Sequence, residues 1–295
     1  MTGFSADWLA LREPIDHAAR ERSAAALDLQ ALSVRLRGDR SELRVLDLAC
    51  GSGANLRELA PRLGGTQRWL LVDNDPALLA ALPTAMSEWA HAHGFGWRND
   101  AGRLSIEGAG WEAEVQLRCI DLASAMDTVP FADAHLVTAS ALLDLVSDTW
   151  LEALVVHTRA AACAVLFALS VDGHVAWEPG DPDDAEVHRL FTAHQRRDKG
   201  FGDSLGCEAA ARAVVRFEAS GFRTVRAQSD WQIDAAHGSR AIAMLSAMAQ
   251  GIAAAALEQH PAAHALVGGW KARRLALAGR SSLRVGHVDL FAMLP

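Results

Sequence analysis

The sequence predicts an α/β fold: a doubly wound, mainly parallel sheet of seven strands with N-terminal helices and helical insertions. Three observations predict it. Short apolar runs alternate with longer helical stretches, the pattern of strand–helix–strand units. One run, Val45-Leu46-Asp47-Leu48-Ala49, passes into the glycine turn Cys50-Gly51-Ser52-Gly53 and straight into a helix. Two later runs each end in a carboxylate, Asp73 and Asp121. In such a sheet the ligand sits at the carboxyl ends of the strands, where the strand order reverses.

Each element follows from local chemistry. Residues 1–40 read as helices broken at Pro14, with an amphipathic run from Ile15 to Leu36. Leu43 to Ala49 is a short buried strand, and Ala54 to Leu63 a helix that Gly64-Gly65 stops. The strand Trp69 to Val72 leads to Asp75, an N-cap, and Pro76, a favourable first helical residue. That helix reaches about His91. A glycine-punctuated hairpin near Gly102 to Gly110 precedes the strand Trp111 to Ile120. Further strands are expected at His135 to Ala139, Cys163 to Val171, Phe222 to Ala227 and Leu283 to Phe291. Helices fill Thr149 to Ala162, Glu208 to Ser220, Ser239 to Leu257 and Ala262 to Leu277. The polar stretch Asp172 to Gly206 interrupts the rhythm and holds one helix, extending to about Lys199. The expected division is a helical lid over 1–40 and one sheet domain over 41–295, with insertions near 172–206 and 237–278.

Composition narrows the function. The chain has 295 residues, 51% hydrophobic and 22% charged, which excludes a disordered protein. Its net charge of −8 argues against nucleic acid and anionic lipid as partners, since both need clustered Lys and Arg. No apolar run in the sequence suggests a membrane span, and Met1 to Arg12 lacks the pattern of a secretory signal. Cys50, Cys119, Cys163 and Cys207 lack metal-binding spacing, so no metal site is expected. These features suit a cytoplasmic protein, a monomer or homodimer, acting on a small molecule. With no tyrosine in the chain, a tyrosine acid is excluded.

The glycine turn carries the chemistry. Gly51 and Gly53 let backbone pass close to a ligand, and the helix start offers free N–H groups. A dinucleotide fingerprint would want a small residue at position 56, where Leu stands. Asp47, just before the turn, suits a ligand ammonium better than a pyrophosphate. Asp73 is placed to accept hydrogen bonds from a ribose diol. Asp121 is placed to accept from an exocyclic amine while Leu122 packs on a base. For each residue alone, the other reading is an ordinary turn or helix cap.

Together, VLDLACGSG, LLVDNDP and CIDL resemble, in order and position, the first three cofactor motifs of the class I S-adenosylmethionine-dependent methyltransferases. The resemblance covers about Leu43 to Ser147 and implies a Rossmann-like fold with S-adenosylmethionine as cofactor. It implies that Asp47, Gly51 and Gly53 surround the methionine part, with Ala49 and Asn55 in the same binding segment. Asp73 would hold the ribose with Asn74 beside it, Asp121 and Leu122 would frame the adenine, and Ser140 would lie near the sulfonium. The family often has glycine where Ala49 stands. The competing readings are an NAD(P)-dependent oxidoreductase on a related fold and a non-catalytic S-adenosylmethionine-binding protein.

The acceptor side is read from polar residues without another role. Asp144 follows the fourth strand and either orients a substrate or caps a helix. In the polar stretch, Phe191, His194, Gln195 and Asp198 share a helix face by their spacing. His194 and Asp172 are therefore the candidate catalytic groups, with Gln195 and Asp198 as substrate contacts; the alternative is a solvated surface. Trp8 and Arg12 are candidate lid residues over the substrate, where water exclusion favours methyl transfer. Asp16 and Arg20 are expected to pair at i,i+4.

Overall fold

The computed structural model describes residues 6–100 and 103–295. Two helices, α1 (Ala6–Ser23) and α2 (Leu29–Arg37), precede β1 (Leu43–Leu48). The alternation continues through α3 (Ala54–Leu63), β2 (Gly65–Asp73), α4 (Pro76–His93), β3 (Gly96–Asp100), β4 (Arg103–Gly108) and β5 (Trp111–Cys119). Next come β6 (Leu136–Ser140), α5 (Asp148–Ala160), β7 (Ala164–Glu178), α6 (Asp184–Gln195) and α7 (Ala209–Ala219). The chain closes with β8 (Arg223–Gln228), β9 (Trp231–Asp234), α8 (Ser239–Gln259), α9 (His264–Leu277) and β10 (Ser282–Met293).

The strand order is β3-β4-β5-β2-β1-β6-β7-β10-β8, with β9 paired to β10. The five strands from β5 to β7 run parallel, and β10 is antiparallel to β7, β8 and β9. The chain steps outward from β1 through β2 to β5, then returns to add β6 and β7 on the other side. The order therefore reverses between β1 and β6, and their carboxyl ends flank the position where such sheets take a ligand.

Alternation sorts each strand between two layers. Leu46 and Leu48 pack with Val137, Phe167, Leu154 and Phe217, under α5 and α7. Leu43 and Val45 face the other way, onto Leu29, Leu56 and Leu59 of α2 and α3. A third cluster joins α6, α8 and α9 around Trp270 and Met244.

The sheet has ten strands where the sequence predicts seven. The additional ones are β3, β4 and β9. β3 is nearly all exposed and lacks alternation, and β9 has only 4 residues, so neither carries a strong pattern. Ala101 and Gly102, where the expected hairpin begins, lie outside the described residues. β7 does not stop at Val171 but runs to Glu178, because its polar second half pairs with Ser282–Val285 of β10. α6 ends at Gln195, so Asp198 is not on its face. α1 continues through Pro14, and the helices break instead around residues 24–28. Tertiary contacts on both sides of Pro14 hold α1, as described below. α8 is long and apolar enough to cross a membrane by length and composition alone, which its alanine-rich sequence obscures. In the fold, its Met244, Leu245, Ala249 and Ile252 are buried in the third cluster.

Candidate active site

The turn after β1 is built from three left-handed residues: Ala49 (φ 53°), Gly51 (φ 54°) and Gly53 (φ 80°). Alanine at position 49 thus occupies a conformation that favours glycine. A side chain on Gly53 would collide with Met86 Cε, whereas one on Gly51 would lie 3.6 Å from Leu9 Cδ1. Gly53 is thus favoured chiefly by its left-handed torsion, since the end of the Met86 side chain can shift, and Gly51 lies beneath the N-terminal helix.

Asp73 fixes the turn from the neighbouring strand. Its Oδ2 accepts from Gly51 N at 2.8 Å, and its Oδ1 from Asp75 N at 2.9 Å. A carboxylate has about four acceptor positions, so two such bonds leave room for a ligand diol. Asn74 beside it is exposed.

Asp47 is fully buried below the turn. Asn55 Nδ2 donates to Asp47 Oδ1 at 2.7 Å and to Thr138 Oγ1 at 3.1 Å, and Arg20 Nη1 donates to Asn55 Oδ1 at 2.8 Å. Asp47 Oδ2 is buried without a hydrogen-bond partner among the described residues. Burial raises the pKa of Asp47 to about 7, against the opposing bond from Asn55 and charge of Arg20. An unsatisfied buried carboxylate oxygen is costly, and a bound cation would satisfy it. That fits the ammonium of an amino-acid ligand.

The adenine-side residues are placed differently from one another. Asp121 is exposed and accepts from Ala123 N at 3.0 Å and Ser124 Oγ at 2.8 Å. Leu122 is buried in the core, and its carbonyl accepts from Trp150 Nε1 at 2.8 Å. Ser140 ends β6, level with Ala168 of β7.

The helix α1 lies over this edge and is tied to α3. Arg57 Nε and Nη2 donate to Glu13 at 2.6 and 2.7 Å, and Arg57 Nη1 to Ser52 O at 2.7 Å. His17 bonds Glu58, which also pairs with Arg62. Arg12 pairs with Asp16 at 2.8 Å, and Arg20 reaches Asn55, replacing the Asp16–Arg20 pair expected from spacing. Arg12 also sits over the Trp231 ring, and Trp8 packs against the third cluster.

This tether is electrostatic, which sets its pH dependence. Burial opposes the charge on His17, but bonds to Glu13 and Glu58 outweigh it and raise its pKa to about 9. Burial likewise opposes charge on both glutamates, yet their partners lower each to about 2. The His17 contribution is therefore complete below about pH 6.5 and lost as pH rises towards 9. The glutamate contributions are complete above about pH 4.5 and lost towards 2. Amide exchange in α1, corrected for intrinsic rate, should accelerate towards either extreme while buried α8 stays protected. Flat protection of α1 through the alkaline window would show that apolar contacts alone hold it.

The remaining sequence candidates do not converge. His194, at the end of α6, has Nε2 3.2 Å from Glu258 of α8 and Nδ1 3.5 Å from Lys199. Asp172, on β7, accepts from His174 N at 2.9 Å and faces Gly286 of β10. They thus belong to separate clusters. Asp198 accepts from Gly200 N at 2.6 Å and Gly202 N at 3.0 Å, closing a loop, and Gln195 packs beside Gly206. Asp144 differs: its Oδ1 is buried without a partner among the described residues, and burial raises its pKa to about 6. Thr138 lies in the segment Thr138-Ala139-Ser140 that the resemblance sets near the sulfonium, but no sequence pattern ties it to Asn55 or joins Arg57 to Glu13. The only available hint was charge recurring at helical spacing in α1 and α3. Among the described residues, no group of three or more His, Cys, Asp or Glu is placed to hold a metal.

No protein-family model and no curated protein matches the sequence. Solved structures do match. A cyclopropane-fatty-acyl-phospholipid synthase-like protein from Lactobacillus casei is similar over 99% of this chain and 95% of its own, at 14% identity and a TM-score of 0.52. A Bacillus halodurans protein named as a candidate methyltransferase matches over 91% of this chain and 99% of its own, at 14% identity and a TM-score of 0.47. An S-adenosylmethionine-dependent methyltransferase from Geobacter sulfurreducens, in complex with S-adenosylhomocysteine, matches over 94% and 98%, at 14% identity and a TM-score of 0.39. The fold is the Rossmann-like fold of the class I methyltransferases.

Proposed function

We propose that this protein transfers a methyl group from S-adenosylmethionine to a small-molecule acceptor. The carrying observation is the Oδ2 of buried Asp47, without a partner among the described residues, beneath a glycine turn whose backbone is held by Asp73. Asp47 suits the ammonium of the amino-acid part, and the spare acceptor positions of Asp73 suit the ribose hydroxyls. Gly51, Gly53 and Asn55 complete this side, with Ala49, Asn74, Asp121, Leu122 and Ser140 as the remaining cofactor-side residues. S-adenosylmethionine supplies an electrophilic methyl group on a sulfonium. The chain supplies position and exclusion of water: α1 covers the turn, and holding two reactants in line lowers the barrier.

The net charge of −8 supports a small acceptor over nucleic acid or a membrane surface; the reading takes the protein as a cytoplasmic monomer or homodimer. In this reading Asp144, Trp8 and Arg12 serve the acceptor.

Calorimetry tests the reading. S-adenosylhomocysteine should bind with a Kd near 1 μM, about −8 kcal/mol, and NADH should not compete. NADH binding without S-adenosylhomocysteine binding would replace this reading with a nicotinamide oxidoreductase. Asp73→Ala should weaken S-adenosylhomocysteine by about tenfold to a hundredfold, the scale of losing charge-assisted hydrogen bonds. Unchanged affinity would reduce Asp73 to a turn-holding role.

A further inference from the structure

We propose that Arg20 of α1 is a positioning residue of the cofactor site: acting through Asn55, it keeps Asp47 a carboxylate whose Oδ2 is free for the ammonium of the cofactor. This rests on the methyl-transfer reading above. Arg20 is 4% exposed. A cation buried that deeply normally meets a carboxylate directly. Among the described residues, the one side-chain hydrogen bond of Arg20 goes instead to a neutral amide, from Nη1 to Asn55 Oδ1 at 2.8 Å. That bond joins α1 to the first turn of α3, below the glycine turn.

Every link of the chain has a fixed direction. A guanidinium only donates, so Arg20 must face the oxygen of the Asn55 amide. The two hydrogens of Asn55 Nδ2 then go to Asp47 Oδ1 at 2.7 Å and Thr138 Oγ1 at 3.1 Å. Thr138 Oγ1 accepts there because its own proton goes to Leu166 O at 2.7 Å. Asn55, Asp47 and Thr138 are all buried, so bulk water does not compete for these bonds. The amide thus presents a donor to Asp47, which favours the ionised acid, and occupies Oδ1 while Oδ2 has no partner among the described residues. Without Arg20, Asn55 Oδ1 becomes a buried acceptor lacking a donor. Turning the amide over would satisfy it with a proton on Asp47, and a neutral acid would replace the carboxylate.

Charge acts in the same sense. The groups facing Asp47 are Arg20 on α1, Asp73 on β2, the Cys50 thiol in the turn, and the neutral Asn55 and Thr138. Burial raises the Asp47 pKa to about 7 against the bond from Asn55 and the charge of Arg20, with Asp73 adding to the rise. Arg20 is itself balanced by Glu58 on α3, which bonds His17 and Arg62. An ammonium ligand needs the ionised form of Asp47, so its affinity falls as pH drops through about 7. Removing Arg20 moves that fall to higher pH. A ligand without an ammonium is indifferent to both changes.

The test is calorimetry on the full chain at about pH 6, 7.5 and 8.5, with S-adenosylhomocysteine and with 5′-methylthioadenosine, a nucleoside thioether lacking the amino-acid part. In wild type, S-adenosylhomocysteine should weaken about tenfold from pH 8.5 to 6 while methylthioadenosine changes less than about twofold. Arg20→Met keeps an apolar stem in the same space. It should weaken S-adenosylhomocysteine about fivefold at pH 7.5, with the gap closing towards pH 8.5 and methylthioadenosine unaffected. Arg20→Lys should recover part of the loss, because an ammonium still donates to Asn55 Oδ1. A loss of the same size at every pH, a loss shared by methylthioadenosine, or no loss at all overturns the proposal and leaves Arg20 a packing contact. A wild-type S-adenosylhomocysteine affinity that is flat with pH overturns it whatever the variants do, so the test stands even if Arg20→Met does not fold. If wild type binds neither ligand, the methyl-transfer reading falls, and this role with it.

Discussion

Arg274→Ala should destabilise the protein by about 3–5 kcal/mol, the scale of removing one partner from a buried ion pair. The Arg274 side chain is fully buried. Its Nη1 donates to Pro179 O at 2.7 Å, and its Nη2 bonds the Asp184 carboxylate, which also accepts from Trp270 Nε1 at 2.7 Å. The guanidinium lies 4.8 Å from the Trp177 ring centroid and 5.9 Å from that of Trp270. One side chain therefore joins α9, the start of α6 and the far end of β7. Truncation strips Asp184 of its cation and leaves a cavity between two tryptophans. Asp184 opposes its own burial through these bonds and has a lowered pKa, so its contribution is present at neutral pH and lost in acid. The gap between wild type and variant should therefore narrow as pH falls below about 4. Urea unfolding at two pH values measures both effects; a neutral-pH loss under about 1 kcal/mol would show that the helical addition holds without this cation.

Gly53→Val should abolish S-adenosylhomocysteine binding and cost about 3 kcal/mol of stability. A left-handed residue carries a penalty of about 1–2 kcal/mol when it has a Cβ, and forced overpacking adds about 1–3. Both apply here, at φ 80° and against Met86 and Leu82 of α4. The damage reaches the ligand because Gly53 is the N-cap residue of α3, whose first turn carries Asn55, the partner of Asp47. Adding Met86→Ala should return part of the stability by making room, but not the part owed to the torsion. Calorimetry and urea unfolding on the single and double variants separate the two. Wild-type binding by a folded Gly53→Val protein would place the ligand away from this turn.

Much of the frame is legible in the sequence. The run from Val45 to Leu56 reads as strand, turn and helix because apolar alternation, two glycines and a helical pattern meet within a dozen residues. Asp75 and Pro76 mark a helix start, and Asp75 does cap α4. The same local logic misses β3 and β9, which are held by pairing rather than by their own pattern. It also misjudges Pro14, because a local helix breaker is outweighed where Glu13 and His17 are tied to α3. His194 and Asp172 drew attention as polar residues in one segment, yet α6 and β7 carry them to different neighbours.

The sequence by itself determined the alternation of the central strands and helices, the glycine turn, and Asp73 at the end of β2, since each depends on residues close in the chain. Only the tertiary structure decided how α1 meets the far strands of the sheet. His287 is far from Arg12 in sequence, yet both meet the Trp231 ring, because β10 inserts between β7 and β8 while α1 folds back over the sheet edge. Burial and the choice of hydrogen-bond partner are properties of that packing, and no local pattern encodes them.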